Sequence, residues 1–102
     1  MVRPPGRTTK EPTMTPATAS AFKGLHAASL TPAALDLKTK ELIALACGVS
    51  RLCDGCIVHH AKAAKSAGAT LAEIQDTLDV CVLMGGGPAT VYGKKAIDAY
   101  NS

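Results

Sequence analysis

Apolar residues in this chain return every three or four positions in one segment after another, and nothing alternates convincingly with period two. The clearest case is Leu71, Ile74, Leu78, Cys81 and Val82, a single helical stripe. Thr70-Leu71-Ala72-Glu73 opens it as a capping box, in which the two polar side chains satisfy free amides at a helix start. The pattern predicts an all-α chain.

Four further helices follow from the same reading. Ala19 to Ala28 forms a short first helix with Phe22 and Leu25 on one side. Thr31-Pro32 reads as a helix start, a hydroxyl cap followed by proline at the first helical position. Leu37 to about Val49 is rich in Leu, Ile and Ala and ends at Gly48 or just beyond. About Asp54 to Ala67 is apolar at Ile57, Ala61 and Ala64 and is stopped by Gly68. After Gly85-Gly86-Gly87, Pro88 starts a last helix with Ala89, Tyr92, Ala96 and Tyr100 inward.

At 102 residues this is one domain, with residues 1–17 a flexible, Pro- and Thr-rich tail and 18–102 the folded part. Its residues are 47% hydrophobic but only 3% aromatic, so the core must be built from Ala, Leu, Ile and Val. So small a domain buries little of its surface, which favours association with its own copies. The net charge of +3 is scattered, with no basic face for nucleic acid. No apolar run has the length of a membrane span, and the N-terminus lacks a signal peptide's apolar centre. The expectation is a cytoplasmic protein with no nucleic-acid or membrane partner, and in that reducing setting a Cys-x-x-Cys pair reads as catalytic or metal-binding.

That pair is Cys53-Asp54-Gly55-Cys56, followed by His59 and His60. It lies where a helix begins, and free amides there favour thiolate. His60, four residues after Cys56, falls on the same helical face and can exchange a proton with it. Zinc would need a second close pair of ligands, which Cys81 is too distant to supply. Haem attachment needs histidine directly after the second cysteine, where Ile57 stands, and a thioredoxin-like site needs strands. Neither metal nor cofactor is expected. Glu41, at the edge of Leu42-Ile43-Ala44-Leu45, is either a solvated glutamate or a partly buried proton-relay carboxylate. Cys47 and Cys81 read as small core residues on apolar faces, and Met84 as core or interface filler. His59 faces solvent or a neighbouring subunit, and His26 is a surface residue with no visible partner. The triple glycine lacks the Lys-Ser/Thr of a phosphate loop.

Four blocks in order carry a resemblance: Lys38-Thr39-Lys40-Glu41-Leu42-Ile43-Ala44-Leu45-Ala46, Cys53-x-x-Cys56-x-x-x-His60, Gly68-Ala69-Thr70-x-x-Glu73-Ile74, and Met84-Gly85-Gly86-Gly87-Pro88-Ala89. Together the chain resembles the carboxymuconolactone decarboxylase/AhpD-like family. The resemblance implies a helical domain of five to six helices that forms homo-oligomers, commonly hexamers or else trimers. It implies a thiol-dependent alkylhydroperoxidase with peroxiredoxin activity, or a disulfide reductase. The substrates would be hydrogen peroxide or a small organic hydroperoxide, with a dithiol or thiol as reductant. Cys56 would attack peroxide, Cys53 would resolve the product, and Glu41 with His60 would relay protons. One departure is Gly55, where AhpD proper carries a histidine. Two other readings stand beside this one: a carboxymuconolactone decarboxylase-type lyase using His60 and Glu41 without the thiols, and a non-enzymatic redox-sensing helical module.

Overall fold

The computed structural model describes residues 10–102, and among them there are five helices and no strand. They are α1 (Pro16–Leu30), α2 (Leu37–Ser50), α3 (Asp54–Ser66), α4 (Leu71–Gly85) and α5 (Gly87–Asn101). The tail reading for residues 1–9 lies outside the described residues. Residues 10–15 are exposed, and the first helix begins at Pro16, inside the span expected to be tail.

Each helix start has a local chemical cause. Thr15 accepts from the Thr18 amide with Pro16 at the first helical position, and Asp36 accepts from the Thr39 amide at 2.8 Å. The capping box at Thr70–Glu73 forms in both directions, at 3.1 and 2.9 Å. The helix start expected at Thr31-Pro32 does not form. Proline disfavours helical backbone in the residue before it, and Thr31 is extended, closing α1 as its C-cap instead. Its amide and hydroxyl both donate to the Ala27 carbonyl. Asp36 takes over as cap for α2.

Leu45 and Val49 of α2, Ile57, Ala61 and Ala64 of α3, Ile74 and Leu78 of α4, and Ala89, Ala96 and Ala99 of α5 make one continuous core. The many alanines bring helix axes close, as the low aromatic content required. Leu45, Val49, Ile57 and Ile74 are fully covered, each contributing about 1.5–3 kcal/mol through burial. Against a typical net stability of roughly 5–15 kcal/mol, each is a substantial share. Tyr92 and Tyr100 are only half-buried, and the Tyr100 hydroxyl donates to the Ala69 carbonyl at 2.9 Å. Val82, expected on the buried stripe, is exposed.

No residue of α1 is buried; Phe22 and Leu25 stand in solvent. Lys40 of α2 holds its end, donating to the Ser29 and Thr31 carbonyls at 3.0 and 2.7 Å.

Candidate active site

The end of α2 builds the entrance to α3. The Leu52 amide donates to Val49 and the Cys53 amide to Gly48, at 3.1 and 3.0 Å. Leu52 between them has φ +56°, so this is a Schellman motif with leucine where glycine is usual. The next residue, Cys53, is at once the last of that motif and the N-cap of α3. Its Sγ accepts from the Cys56 amide at 3.2 Å, and its carbonyl accepts from Ile57 at 3.0 Å. The two cysteines, with Cα atoms 5.3 Å apart, are joined in a disulfide. Cys56 is exposed and Cys53 half-buried. The sulfurs therefore sit in the positive field of a helix N-terminus, on residues that are not buried.

Gly48 lies inside α2, two residues short of its end, and is buried. A Cβ there would stand 3.1 Å from the Cys56 Cβ and 3.3 Å from the Ile57 amide nitrogen. The missing side chain lets α2 seat against the first turn of α3. A glycine inside an apolar helical run, where it costs about 1 kcal/mol against alanine, is the sequence signal for such a contact. At Gly55, by contrast, a Cβ would meet nothing within 4 Å.

Glu41 is 4% exposed, the only buried charged residue among those described. His60 Nδ1–H donates to its Oε1 at 2.6 Å. A carboxylate can be kept this far from water only with such a partner. With Nδ1 committed to Glu41, the neutral ring has Nε2 as its basic nitrogen. Of the two readings left open for Glu41, the buried one is the one observed. His60 is one turn beyond Cys56 on α3.

The other two imidazoles of the chain come together here with His60. The His59 ring is 4.8 Å from that of His60, edge-on. His26, expected to have no partner, lies 5.9 Å from His59 and 6.4 Å from His60, nearly parallel to the latter. Contacts between elements so far apart in sequence leave no signal in spacing. Lys95 of α5 pairs with Asp54 between the cysteines at 2.8 Å, an exposed bond of small energetic weight.

Cys81 is buried as expected, and burial raises its thiol pKa. Cys47 is not a core residue. It is exposed, in a groove of about 350 Å³ between α2 and α4 that is also lined by Ile43, Arg51, Val80, Cys81 and Met84. The α2 face carrying Cys47 turns outward because Leu45 and Val49 occupy the inward one. Met84 is exposed too, so it is not core. Among the described residues, no three or more His, Cys, Asp and Glu side chains are grouped to hold a metal.

An all-helical domain with a disulfide-forming pair at one helix start, one turn from a carboxylate-bonded imidazole, defines a class of small helical proteins with a thiol and acid–base centre. The chain belongs to the carboxymuconolactone decarboxylase family, whose pattern matches residues 16–99. It is 41% identical to a carboxymuconolactone decarboxylase family protein of Legionella pneumophila, with a TM-score of 0.82 over 84% of this chain and 77% of that one. A family protein of Thermotoga maritima, given a possible part in antioxidative response, is 30% identical, with a TM-score of 0.79 over 86% and 91%. An uncharacterized protein of Cupriavidus necator is 38% identical over 90 residues, 85% of this chain and 80% of its own length.

Proposed function

We propose that the protein is a thiol-dependent peroxidase of the alkylhydroperoxidase type that cycles Cys53 and Cys56 between dithiol and disulfide. The observation that carries this is the sulfur pair at the α3 N-terminus, one turn ahead of an imidazole bonded to a buried carboxylate.

The Cys56 proton passes to His60, whose imidazolium is held by Glu41. The Cys56 thiolate attacks the outer oxygen of the hydroperoxide; an S–O bond forms as the O–O bond breaks. The departing alkoxide, or hydroxide from hydrogen peroxide, takes the proton from His60. The Cys53 sulfur then displaces hydroxide from the sulfenic acid, which leaves as water with the Cys53 proton, and the disulfide closes. A dithiol gives up two electrons and two protons to restore both thiols, becoming a disulfide itself. The same second half, run alone, is disulfide reductase chemistry. These steps suit the reducing conditions of a cytoplasm, and no helix of the described residues is long and apolar enough to cross a membrane.

Glu41 and His60 are an acid–base unit that needs no sulfur, which favours as a second reading a lyase acting on a small lactone acid. Peroxide consumption with a panel of dithiol donors separates the two. The wild type should turn over, and the Cys53→Ser/Cys56→Ser double variant should lose all turnover. A double variant that keeps decarboxylating activity on a lactone acid, beside a wild type inert to peroxide, would favour the lyase. Disulfide formation without sustained turnover under any reductant would favour a redox sensor.

We further propose that copies associate, as a hexamer or else a trimer, through the apolar side chains left in solvent on α2 and α4. Leu83 and Met84 are 80% and 79% exposed, with Val80 and Ile43 also uncovered.

A further inference from the structure

Helix α1 contributes nothing to the core, yet Lys40, the residue before Glu41, ties its end down through two carbonyls. The tie sets His26 over the acid–base centre. Its ring lies 6.4 Å from that of His60 at an interplanar angle of 18°, and 5.9 Å from that of His59. Glu41 is buried and His60 is largely covered, while His26 stands in solvent. The titratable rings facing it are those of His59 and His60 of α3, and Lys23 lies one turn before it on α1. A separation of this size between ring centres is one that a single water can bridge.

We propose that His26 is a positioning residue of the site, the outer station through which His60 exchanges protons with solvent. The inference rests on the peroxidase reading. When His60 has released the Cys56 proton to solvent before peroxide arrives, it has none to give to the leaving alkoxide. His60 must then be reloaded from outside: one proton moves from water to His26, on to His60 Nε2, and finally to RO⁻, giving ROH. An exposed imidazole next to a covered one is suited to that exchange because one ring nitrogen can accept a proton while the other donates.

The test uses the full chain carrying His26→Gln, with His59→Gln as a second variant. Because His26 is exposed and α1 buries no residue, the melting temperature should not change. Peroxide turnover in dilute, non-imidazole buffer should fall roughly 3- to 10-fold, well short of the 100-fold or more for loss of a direct general acid. Added imidazole should restore it, which it would not do for a merely structural defect. Unchanged turnover, a loss that imidazole leaves in place, or an imidazole-restored loss confined to His59→Gln would each overturn the proposal. NMR measurement of the exchange of the His60 ring N–H proton with water gives an arm independent of turnover. That exchange should slow roughly 3- to 10-fold in His26→Gln. An inert wild type with that slowing present would count against the peroxidase reading alone; an unchanged exchange rate would overturn the role of His26.

Discussion

Gly48 and Cys56 meet across the α2–α3 contact so closely that a methyl group on residue 48 would stand 3.1 Å from the Cys56 Cβ. The Gly48 carbonyl also accepts from the Cys53 amide, so a single residue of α2 seats both members of the pair. Gly48→Ala sets two effects against each other. Helix propensity favours alanine by about 1 kcal/mol, and overpacking disfavours it by about 1–3 kcal/mol. Backbone of α3 lies within 3.4 Å of the new methyl and yields little, so overpacking wins. Urea unfolding should show a net loss of up to about 2 kcal/mol, and disulfide formation should slow; a more stable variant with unchanged kinetics would contradict this.

Leu52 occupies left-handed backbone at φ +56° with its side chain half exposed. Such backbone costs a non-glycine residue about 1–2 kcal/mol, while glycine adds roughly 0.4–1 kcal/mol of unfolded-state entropy. Leu52→Gly should therefore raise stability by about 0.5–1 kcal/mol in urea unfolding. A loss of more than about 1 kcal/mol would mean that the leucine side chain packs more than its exposure implies.

The two remaining thiols differ in access. With the Cys53–Cys56 disulfide closed and copies separated by Leu83→Asp and Met84→Asp, a maleimide should modify Cys47 rapidly and Cys81 slowly, because Cys81 is buried and its thiolate is scarce. Mass spectrometry of a brief reaction should find a single adduct, on Cys47. Equal labelling of both would contradict the packing of α4. In the wild type the proposed interface over the α2–α4 groove should slow labelling of Cys47 as well.

Assembly is open to a direct check. Light scattering at micromolar concentration should find an oligomer, and Leu83→Asp with Met84→Asp should reduce it to monomer while far-UV helicity persists. A clean monomer in the wild type would remove the proposed interface.

The helices whose starts carry their own chemistry were legible in the sequence. The Thr70–Glu73 box forms, and the stripe behind it buries Ile74, Leu78 and Cys81. Glu41 and His60 meet in a hydrogen bond, and Cys53 and Cys56 pair at the start of the helix that carries His60, two contacts that helical spacing within α3 and the buried face of α2 make readable. What spacing could not carry was tertiary. Thr31-Pro32 has the composition of a helix start, but Asp36 makes the stronger cap five residues on. Cys47 looked apolar in context, yet Leu45 and Val49 already fill the inward face. Nothing local to His26 foretells two imidazoles from α3, and nothing local to Leu52 announces a positive φ.

The central claim is that Cys56 attacks peroxide and Cys53 resolves the product, and a dimedone-type probe on two single variants tests it most directly. Cys56 is the more exposed residue and stands one turn from His60, whereas Cys53, the α3 N-cap, is half-buried. On this account, Cys53→Ser reacts once with peroxide and stalls as a sulfenic acid, trapped by the probe on Cys56. Cys56→Ser should give no adduct at residue 53. Trapping on Cys53 in the Cys56→Ser protein, with Cys56 unlabelled in the converse variant, would contradict the account.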